Sequence, residues 1–562
     1  MTPRFVGPRP LAVACGVLVV ALALTYRLGS PPLFDDPNDA QYAEVAREMV
    51  ESGEWISPQL NYVLFLNKPP LLYWMIAVSY AICGVQEAAA RLPGTLMTLL
   101  TVVLVYYLGR ELSDATTGLL AATVYAGMAG TILEARFVRP DVLLTASTTA
   151  AILAAAVLWR TPGRSRRAAC IALYVALAVG VMAKGIVGVV LPGVPIALAL
   201  LVERRADLLA RLAAPRHWLW FVLLVVPWHV VAALRHPGFL WDYVVNQHLL
   251  FFFDQKLPRD SVPVSLSVFW AAFLLRMFPW TLFLPLALVR FTTAGRNARP
   301  VALLLLAWGG TVLAFFSAAS SRLEHYALPA LPAVALLIGS LLRHWSDVDR
   351  AWQRLLRAHL APLLGIAIAG LWWVPTALTQ VDMLSAAGQL SSIARLFFGV
   401  LAIASAIALM VVRRYPMAPA PLLSGAILAL TPVMHWGMAQ LAPSNSSAPI
   451  AAMLQAAGAD GAEIVFEAPV EYQQCAGLNF YLRRKLAILR PAGFVDPTYL
   501  RPHADQLFID RTRLAQMWQT ERVLFVSDPL APPSRSLAAV IPGPFSIVGR
   551  SGTRWVLRNR IP

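Results

Sequence analysis

Charged side chains are scarce in this chain: 14% of its 562 residues are charged, whereas 58% are hydrophobic. Ordinary soluble domains have about 25% charged and about 45–50% apolar residues. The composition therefore excludes an ordinary soluble enzyme and a disordered chain, and it indicates a polytopic membrane protein. Cysteine is also rare, with four residues, three of them in apolar stretches. We expect neither a disulfide framework nor a cysteine-based metal site.

Several catalytic motifs are absent as well. The chain contains no Walker motif, no GxSxG, no HExxH and no Rossmann glycine pattern. Direct use of nucleotide energy is therefore not expected. An enzyme working outside the cytoplasm has no ATP or nucleotide sugar available, which favours a lipid-linked donor.

The chain has 46 Lys and Arg residues and 30 Asp and Glu residues, which gives a net charge of +16. In a soluble protein this excess would suggest nucleic acid. In a membrane protein it has another source, because cytoplasmic loops are enriched in Lys and Arg. Dense arginines fall in every second predicted connection, for example at 160–167, 203–216 and 343–358. We therefore expect no nucleic-acid partner.

The predicted fold is a polytopic α-helical membrane protein with about 13 transmembrane helices, from runs of about 17–25 apolar residues. The run 71–83 is too short and is read as an interfacial or re-entrant segment. Counting it as a crossing would place the later Arg-rich connections outside. The orientation then has a cytoplasmic N-terminus and a C-terminus outside the membrane. In a bacterial inner membrane, that outer side is the periplasm.

Two domains follow from this reading. Residues 1–441 form the transmembrane domain, with a first outer loop at 27–87 and a second large outer loop at 235–264. Residues 442–562 change composition and predict a small α/β domain outside the membrane. Its strand-like runs are Glu463–Ala468, Leu478–Leu482, Val523–Ser527 and Arg554–Leu557.

The first outer loop begins with an amphipathic pattern from Asp39 to Ser52, where Tyr42, Val45 and Met49 recur at helical spacing. We expect this helix to lie in the membrane interface. Its charged residues, expected on the wet face, are Glu44, Arg47, Glu48 and Glu51. Asp39 either caps the helix or serves as a catalytic carboxylate.

Other candidates lie at predicted loops and helix ends. Lys68 is fixed by Pro69 and Pro70, either as a snorkelling lysine or as a phosphate ligand. Arg276 lies near the middle of the predicted span 265–289, where it is either a phosphate ligand or half of a structural ion pair. The remaining candidates are charged or aromatic groups in the same regions: Arg139, Asp141, Lys184, His248, Glu324 and Tyr326.

These groups predict an amphiphilic substrate with a phosphorylated head. Carboxylates suit a hydroxyl acceptor that must lose a proton or a divalent metal, and cations stabilise a phosphate leaving group. No ligand spacing is diagnostic, so a divalent metal is left open and no other cofactor is expected. A transporter is the main alternative from another class, although its charges would lie near the bilayer midplane on paired repeats.

Four stretches carry a resemblance: Asp39–Glu44 (DAQYAE), Ser52–Trp55 (SGEW), Lys68–Leu71 (KPPL) and Ala90–Pro93 (ARLP). Together they resemble the N-terminal signature of lipid A aminoarabinose transferases. These belong to the GT-C superfamily of membrane glycosyltransferases, with the protein O-mannosyltransferases. The similarity runs from about residue 30 to 340. One departure is Gln247-His248 followed by Phe251-Phe252, where the family often has Glu-His and then Arg-Phe.

The resemblance implies transfer of a sugar from a polyprenyl-phosphate (undecaprenyl-phosphate) carrier, with inversion, at the periplasmic face of a bacterial inner membrane. The acceptor is lipid A or another lipid, or alternatively a protein. By position, Asp39 and Asp141 match the family's loop carboxylates and Lys68 its carrier-phosphate lysine. The residues expected to bind substrate are Tyr42, Arg139, Lys184, His248, Arg276, Glu324 and Tyr326. We expect a monomer.

Overall fold

The computed structural model describes most of the chain. The described residues are 10–35, 39–160, 165–212, 214–258, 262–292, 299–345, 354–355, 357–379, 387–468, 472–490, 494–527 and 541–559. Arg259, one of the basic residues of the second large loop, lies outside them.

Helices dominate the first 445 residues. The longer ones are Pro10–Thr25, Asp39–Ser52, Leu71–Cys83, Glu87–Leu112, Ala115–Ala126, Pro140–Arg160, Ser165–Lys184, Val187–Val202, Pro215–Arg235, Leu266–Arg276, Arg299–Ala318, Leu331–Arg343, Leu360–Thr379, Ala387–Val411, Pro419–Ala429 and Thr431–Asn445. Short helices are Ala129–Glu134, Ala206–Leu212, Phe239–Trp241 and Leu284–Thr292, with 3₁₀ turns at Trp280–Phe283 and Leu328–Ala330 and a π-helix at Asp242–Leu250.

Among the described residues, 8 helices are long and apolar enough to cross a membrane, or 9 if one bent pair is a single span. Five further apolar helices have 10–17 residues. The predicted class, a polytopic helical membrane protein, is confirmed. The number of 13 crossings stays a prediction, because length and composition do not decide which short helices cross.

The predicted span 265–289 is not one straight helix. It breaks into Leu266–Arg276 and Trp280–Phe291, which meet at an angle of 98°. The break contains Pro279, and proline both lacks a backbone donor and clashes with the preceding turn. Arg276 is therefore the last residue of a helix at a bend, and its position near the middle of a membrane span stays a prediction.

The short run of the first loop is a separate helix with the predicted bounds, Leu71–Cys83. Its 13 residues extend about 20 Å at 1.5 Å per residue, short of the roughly 30 Å of hydrocarbon in a bilayer. Pro70 precedes it and Gly84, with φ of 78°, follows it. Both bounds thus have a local cause, a proline that stops helix extension backwards and a glycine that accepts a left-handed φ.

Backbone contacts divide the chain into two units. The helical unit consists of 1–28, 94–227 and 264–440, and the mixed unit of 29–93, 228–263 and 441–562. The mixed unit thus combines most of both large loops with the C-terminal tail. The domain boundary at 441/442 remains a prediction about the membrane, which these contacts do not address.

Small residues allow close helix packing in the helical unit. Helices Ser165–Lys184 and Val187–Val202 meet at Gly180 and Gly188, where a Cβ on Gly188 would lie 2.1 Å from the Gly180 carbonyl carbon. Such an approach excludes any side chain. Close backbone contact at small residues is a common way for membrane helices to associate.

The tail contains a sheet of six strands among its described residues. The strands are β3 Glu463–Glu467, β4 Ala487–Leu489, β5 Phe508–Ile509, β6 Val523–Ser527, β7 Phe545–Ser551 and β8 Arg554–Asn559, whereas β1 Gln59–Leu60 and β2 Val63–Leu64 form a hairpin in the first loop. The sheet has the order β5-β4-β3-β6-β8-β7. Strands β3 to β6 are parallel, β8 pairs antiparallel with β6, and β7 pairs antiparallel with β8. The predicted small C-terminal sheet domain is confirmed.

One predicted strand of the tail is wrong. Leu478–Leu482 belongs to the helix Ala476–Leu482, which packs against Asp39–Ser52 and Ala448–Ala456. A short apolar run fits a buried strand or a buried helix equally well by periodicity. Packing against two helices decides the outcome here.

Candidate active site

Charged residues from four sequence regions form one network in the helical unit, which we call the Asp141 network. It contains Glu134, Arg139, Asp141, Lys184, Arg276, Glu324, His325 and Tyr326. Helix ends supply most of these groups: Glu134 ends Ala129–Glu134, Asp141 lies in the first turn of Pro140–Arg160, Lys184 ends Ser165–Lys184 and Arg276 ends Leu266–Arg276.

The Asp141 carboxylate is held from two sides. Lys184 Nζ lies 2.6 Å from Oδ1, and His325 Nε2 lies 3.6 Å from Oδ2. The same ammonium lies 3.8 Å from the centre of the Tyr326 ring. The Asp141 side chain is 3% exposed, so breaking this buried pair by removing one partner would leave an uncompensated charge.

Glu134 connects the two arginines of the network. Its Oε1 accepts from Nε and Nη2 of Arg276 at 2.9 and 2.8 Å, and its Oε2 accepts from Arg139 Nη1 at 3.2 Å. Arg139 and Arg276 also approach Glu324 Oε1 at 3.9 and 3.8 Å. Of the two hypotheses for Arg276, the ion pair is thus observed, and the phosphate contact stays a prediction.

Glu324 and His325 lie in the turn after Arg299–Ala318, where His325 Nδ1 is 3.2 Å from Glu324 Oε1. Burial lowers the pKa of His325, and the positive charge of Arg139 lowers it further. Burial opposes ionisation of Glu324, but its hydrogen bond with His325 and the charge of Arg139 prevail and lower its pKa to about 2. At neutral pH we therefore expect a neutral imidazole beside an ionised Glu324.

The network's carboxylates and cations come from both predicted and unpredicted residues. Arg139, Asp141, Lys184, Arg276, Glu324 and Tyr326 were site candidates. Glu134, in the charged stretch 134–141, and His325 were not among the site candidates. Arg136, from the same charged turn, is instead committed to structure: its guanidinium donates to the carbonyls of Tyr26 and Arg27 at 3.0 and 3.2 Å.

Asp39, the other predicted carboxylate, lies in the mixed unit. It is fully buried, and its Oδ2 is 3.3 Å from Nη2 of Arg91. Arg91 also donates to the Pro31 carbonyl at 2.7 Å. This pair joins two of the stretches that carry the family resemblance, DAQYAE and ARLP. Sequence reasoning missed Arg91 as a partner because 52 residues separate the two side chains.

The expected wet face of Asp39–Ser52 is confirmed at Glu51, whose side chain is 51% exposed, and is wrong at the other three charged residues. Glu44, Arg47 and Glu48 are almost completely buried. Arg47 forms a bidentate pair with Glu44, with N···O distances of 2.7 and 2.8 Å, and also pairs with Glu51. Opposite charges at i, i+3 and i, i+4 compensate each other, so this face can be covered by the hairpin and by Ala476–Leu482.

Glu48 is the least compensated of these buried charges. Its Oε2 accepts from the backbone N–H of Tyr62 at 2.8 Å, and its Oε1 has no hydrogen-bond partner among the described residues. Burial raises the pKa of Glu48 well above its ordinary value, and the negative charge of Glu44 raises it further. Burial therefore favours the protonated form of this side chain.

Lys68 and His248 lie together in the mixed unit. The Lys68 ammonium is 5.6 Å from the centre of the Phe251 ring. His248 Nδ1 donates to the Tyr243 carbonyl at 2.5 Å, since a carbonyl can only accept. Burial and the charge of Lys68 lower the pKa of His248. Tyr42, in contrast, stacks on Tyr73 at 5.8 Å.

No group of three or more His, Cys, Asp or Glu side chains in the described ranges is arranged to hold a metal ion. The two predicted carboxylates are instead paired with Arg91 and Lys184. We therefore assign no metal ligands and derive no chemical step through a metal.

The fold is that of a polytopic helical membrane protein, and comparisons with known proteins show similarity to membrane glycosyltransferases. Residues 34–244 match the family model "Dolichyl-phosphate-mannose-protein mannosyltransferase". A crystal structure of ArnT from Cupriavidus metallidurans bound to undecaprenyl phosphate superposes with a TM-score of 0.83, at 22% identity and over 98% of each chain.

Two relatives show similarity to enzymes with a named activity. Both are undecaprenyl phosphate-alpha-4-amino-4-deoxy-L-arabinose arabinosyl transferases. The protein from Pectobacterium atrosepticum is 30% identical over 63% of this chain and 64% of its own length. The protein from Pseudomonas fluorescens is 30% identical over 59% of this chain and 58% of its own length. The matched region thus spans less than two thirds of these relatives. The resemblance stated from the first loop is confirmed, and the chain has the fold of ArnT.

Proposed function

We propose that this protein transfers a sugar from a polyprenyl-phosphate carrier, such as undecaprenyl phosphate, to lipid A or another lipid. The observation that carries the proposal is the 30% identity over 370 residues to an enzyme named for undecaprenyl-phosphate-linked aminoarabinose transfer. The fold supports it over the tail as well, since the ArnT likeness covers 98% of this chain.

In the proposed reaction an acceptor oxygen attacks the anomeric carbon of the sugar. The bond between that carbon and the carrier phosphate oxygen breaks, and the carrier leaves as a phosphate anion. A hydroxyl acceptor must lose its proton to a base, whereas a phosphate acceptor is already ionised and needs none. Asp39 and Asp141 are the proposed acceptor-side carboxylates.

The cations have a different role from the carboxylates in this proposal. Lys68 stabilises the leaving phosphate, because a positive charge near a developing anion lowers the barrier to its departure. Arg276 and Lys184 are already paired with Glu134 and Asp141. Their first role is thus to hold the carboxylates of the Asp141 network in place. Tyr42, Arg139, His248, Glu324 and Tyr326 remain proposed substrate-binding residues.

A protein acceptor is the second candidate. The matching family model is described as a protein mannosyltransferase and covers residues 34–244. A transfer assay distinguishes the two acceptors. Purified protein in liposomes is supplied with radiolabelled undecaprenyl-phosphate-sugar and either lipid A or a peptide rich in Ser and Thr. Label in the lipid fraction supports the first candidate, label in the peptide the second, and label in neither contradicts both.

We also propose that the N-terminus is cytoplasmic and that the domain 442–562 lies in the periplasm. The arginine-rich connections support this orientation. A tag fused after Pro562 should be cleaved by protease added to spheroplasts, while a tag at the N-terminus should be protected until the cells are lysed. Protection of the C-terminal tag would show that the number of crossings is even.

A further inference from the structure

The hairpin of the first outer loop has a two-residue turn, Asn61-Tyr62, between strands β1 and β2. Both turn residues have a left-handed backbone, with φ of 56° and 61°. Two-residue hairpin loops use this conformation. Asparagine tolerates it better than most residues, whereas it is rare for a bulky side chain such as tyrosine. A backbone of this kind persists where the surrounding contacts fix it.

The contacts that fix Asn61 come from the C-terminal tail. Asn61 Nδ2 donates to the Leu486 carbonyl at 2.9 Å, and its Oδ1 accepts from the Leu486 N–H at 2.8 Å. Asn479 Nδ2 donates to the same Oδ1 at 2.7 Å. Asn61 and Asn479 are both fully buried, where a lost hydrogen bond is costly. We call Asn61, Asn479 and Leu486 the Asn61 clamp.

The backbone between this turn and Lys68 is covered by protein. Residues 63–67 are buried, whereas Lys68 itself is half-buried. The Phe65 N–H donates to the Pro58 carbonyl at 2.8 Å, and the Phe65 ring meets the ring of Tyr472 edge-on, with their centres 6.3 Å apart. Tyr472 also belongs to the tail. Lys68 thus extends from a packed segment of the first loop that the tail contacts at two points, Asn61 and Phe65.

A side chain on a fixed backbone loses less conformational entropy when it binds a ligand than the same side chain on a mobile backbone. This difference matters at Lys68, the proposed ligand of the carrier phosphate, since its half-buried side chain remains accessible to a ligand.

We propose that Asn479 is a positioning residue for Lys68. Through Asn61 it fixes the hairpin, and the hairpin fixes the backbone that carries the lysine. This inference rests on the proposed function, since that function supplies the phosphate. It gives the tail a part in donor binding that acts through the first loop.

The test is a double-mutant cycle of Asn479→Ala and Lys68→Met with purified full-length protein in detergent. The two probes are undecaprenyl phosphate and undecaprenol, which lacks the phosphate. Asn479→Ala should weaken undecaprenyl phosphate binding at least about threefold and leave undecaprenol binding unchanged. In the Lys68→Met protein the same substitution should have no further effect, because the residue through which it acts is absent. A residue that only stabilises the fold would lower the affinity by the same factor in both proteins.

Asn61→Gly breaks the Asn61 clamp from the other side. Glycine accepts the left-handed φ of this position, so the turn keeps its backbone while the side-chain contacts are lost. Asn61→Gly should reproduce the effect of Asn479→Ala, and it takes the place of that variant in the cycle if Asn479→Ala lowers the yield of folded protein.

Tyr481→Phe is the matched control on the same tail helix. It removes the hydrogen bonds of the Tyr481 hydroxyl with the Leu33 N–H and with Glu87, at 2.8 and 3.2 Å. These bonds also join the tail to an earlier part of the chain, but they do not involve the turn. Tyr481→Phe should therefore bind both probes like the wild type.

Three results would overturn the positioning role and leave the proposed function intact. They are wild-type affinity in both clamp variants, an equal loss with and without Lys68, and an equal loss in Tyr481→Phe. A wild-type protein that binds undecaprenyl phosphate no better than undecaprenol would instead contradict the carrier-phosphate site of the proposed function.

Discussion

The cations of the Asp141 network and the lysines around Phe251 make different contacts. In the network, Lys184, Arg139 and Arg276 each lie within 4 Å of a carboxylate. Around Phe251, Lys68 and Lys256 lie against an aromatic ring. A cation that already holds a carboxylate is suited to fix that carboxylate in place.

In the proposed function, the carboxylates Asp39 and Asp141 act on the acceptor and Lys68 acts on the donor phosphate. The variants change three kinds of charged group: the carboxylate of Asp39, the ion pair between Arg276 and Glu134, and the buried carboxylate of Glu48. They are ordered by the size of the expected effect.

The largest effect is expected for Asp39→Asn. If Asp39 accepts the proton of a hydroxyl acceptor, its loss should lower turnover by at least about 100-fold. Asp460→Asn, at an exposed acid of the tail, is the matched control and should leave turnover unchanged. The measurement is the initial rate of sugar transfer at saturating donor, with membrane insertion checked by yield.

Normal turnover in Asp39→Asn would reduce this residue to the structural partner of Arg91. A loss of both turnover and yield would mean that the pair stabilises the fold, because removing one partner of a buried pair costs about 3–5 kcal/mol. Arg91→Lys separates these outcomes, since it keeps the charge beside Asp39.

An intermediate effect is expected in a double-mutant cycle of Arg276→Met and Glu134→Gln. The two side chains lie 2.8 Å apart, and residues in direct contact show coupling energies of about 0.5–3 kcal/mol. We expect about 1 kcal/mol or more in the free energy of unfolding. The measurement is denaturant unfolding in detergent for the wild type, both single variants and the double variant.

Donor affinity in the same four proteins sharpens the comparison. If Arg276 only pairs with Glu134, the double variant should bind undecaprenyl phosphate with an affinity within about twofold of that of the wild type. If Arg276→Met loses affinity and the double variant does not restore it, Arg276 contacts the donor phosphate.

The smallest effect is a pH dependence from Glu48. Burial, with the charge of Glu44, raises its pKa in the folded protein. The folded state then binds more protons than the unfolded state above about pH 4.5, so the free energy of unfolding falls as pH rises from there. Glu48→Gln should flatten this decline and raise the melting temperature near pH 8.

The measurement is the melting temperature of both proteins at intervals from pH 5 to pH 8. Glu463→Gln, at an exposed acid of β3, should keep the wild-type slope. A Glu48→Gln variant with an unchanged slope would show that Glu48 is ionised in the folded protein.

Local signals in the sequence predicted several features correctly. Long apolar runs predict the helical membrane fold because each must satisfy its backbone internally. The helix Leu71–Cys83 has the bounds of the apolar run, and two tail strands, at Glu463 and Val523, follow from short β-branched and aromatic runs. In each case the cause lies within a few residues of the feature.

Features that depend on distant partners could not be predicted in this way. Burial of Glu44 and Glu48 requires a cover that the tail helix Ala476–Leu482 helps to supply. The Asp39–Arg91 pair and the approach of Lys256 to Phe251 need the folded chain. A charged helical face has the same pattern in sequence whether water or protein covers it.

The central claim is that this protein transfers sugar from a polyprenyl-phosphate carrier to a lipid. Mass spectrometry of membrane lipids, from cells with the wild-type protein, with Lys68→Ala and without the gene, tests it most directly. The account predicts a lipid carrying one added sugar only in the wild-type cells, with the same amount of inserted protein in the Lys68→Ala cells. Identical lipids in all three strains, or an equal sugar adduct with Lys68→Ala, would contradict it.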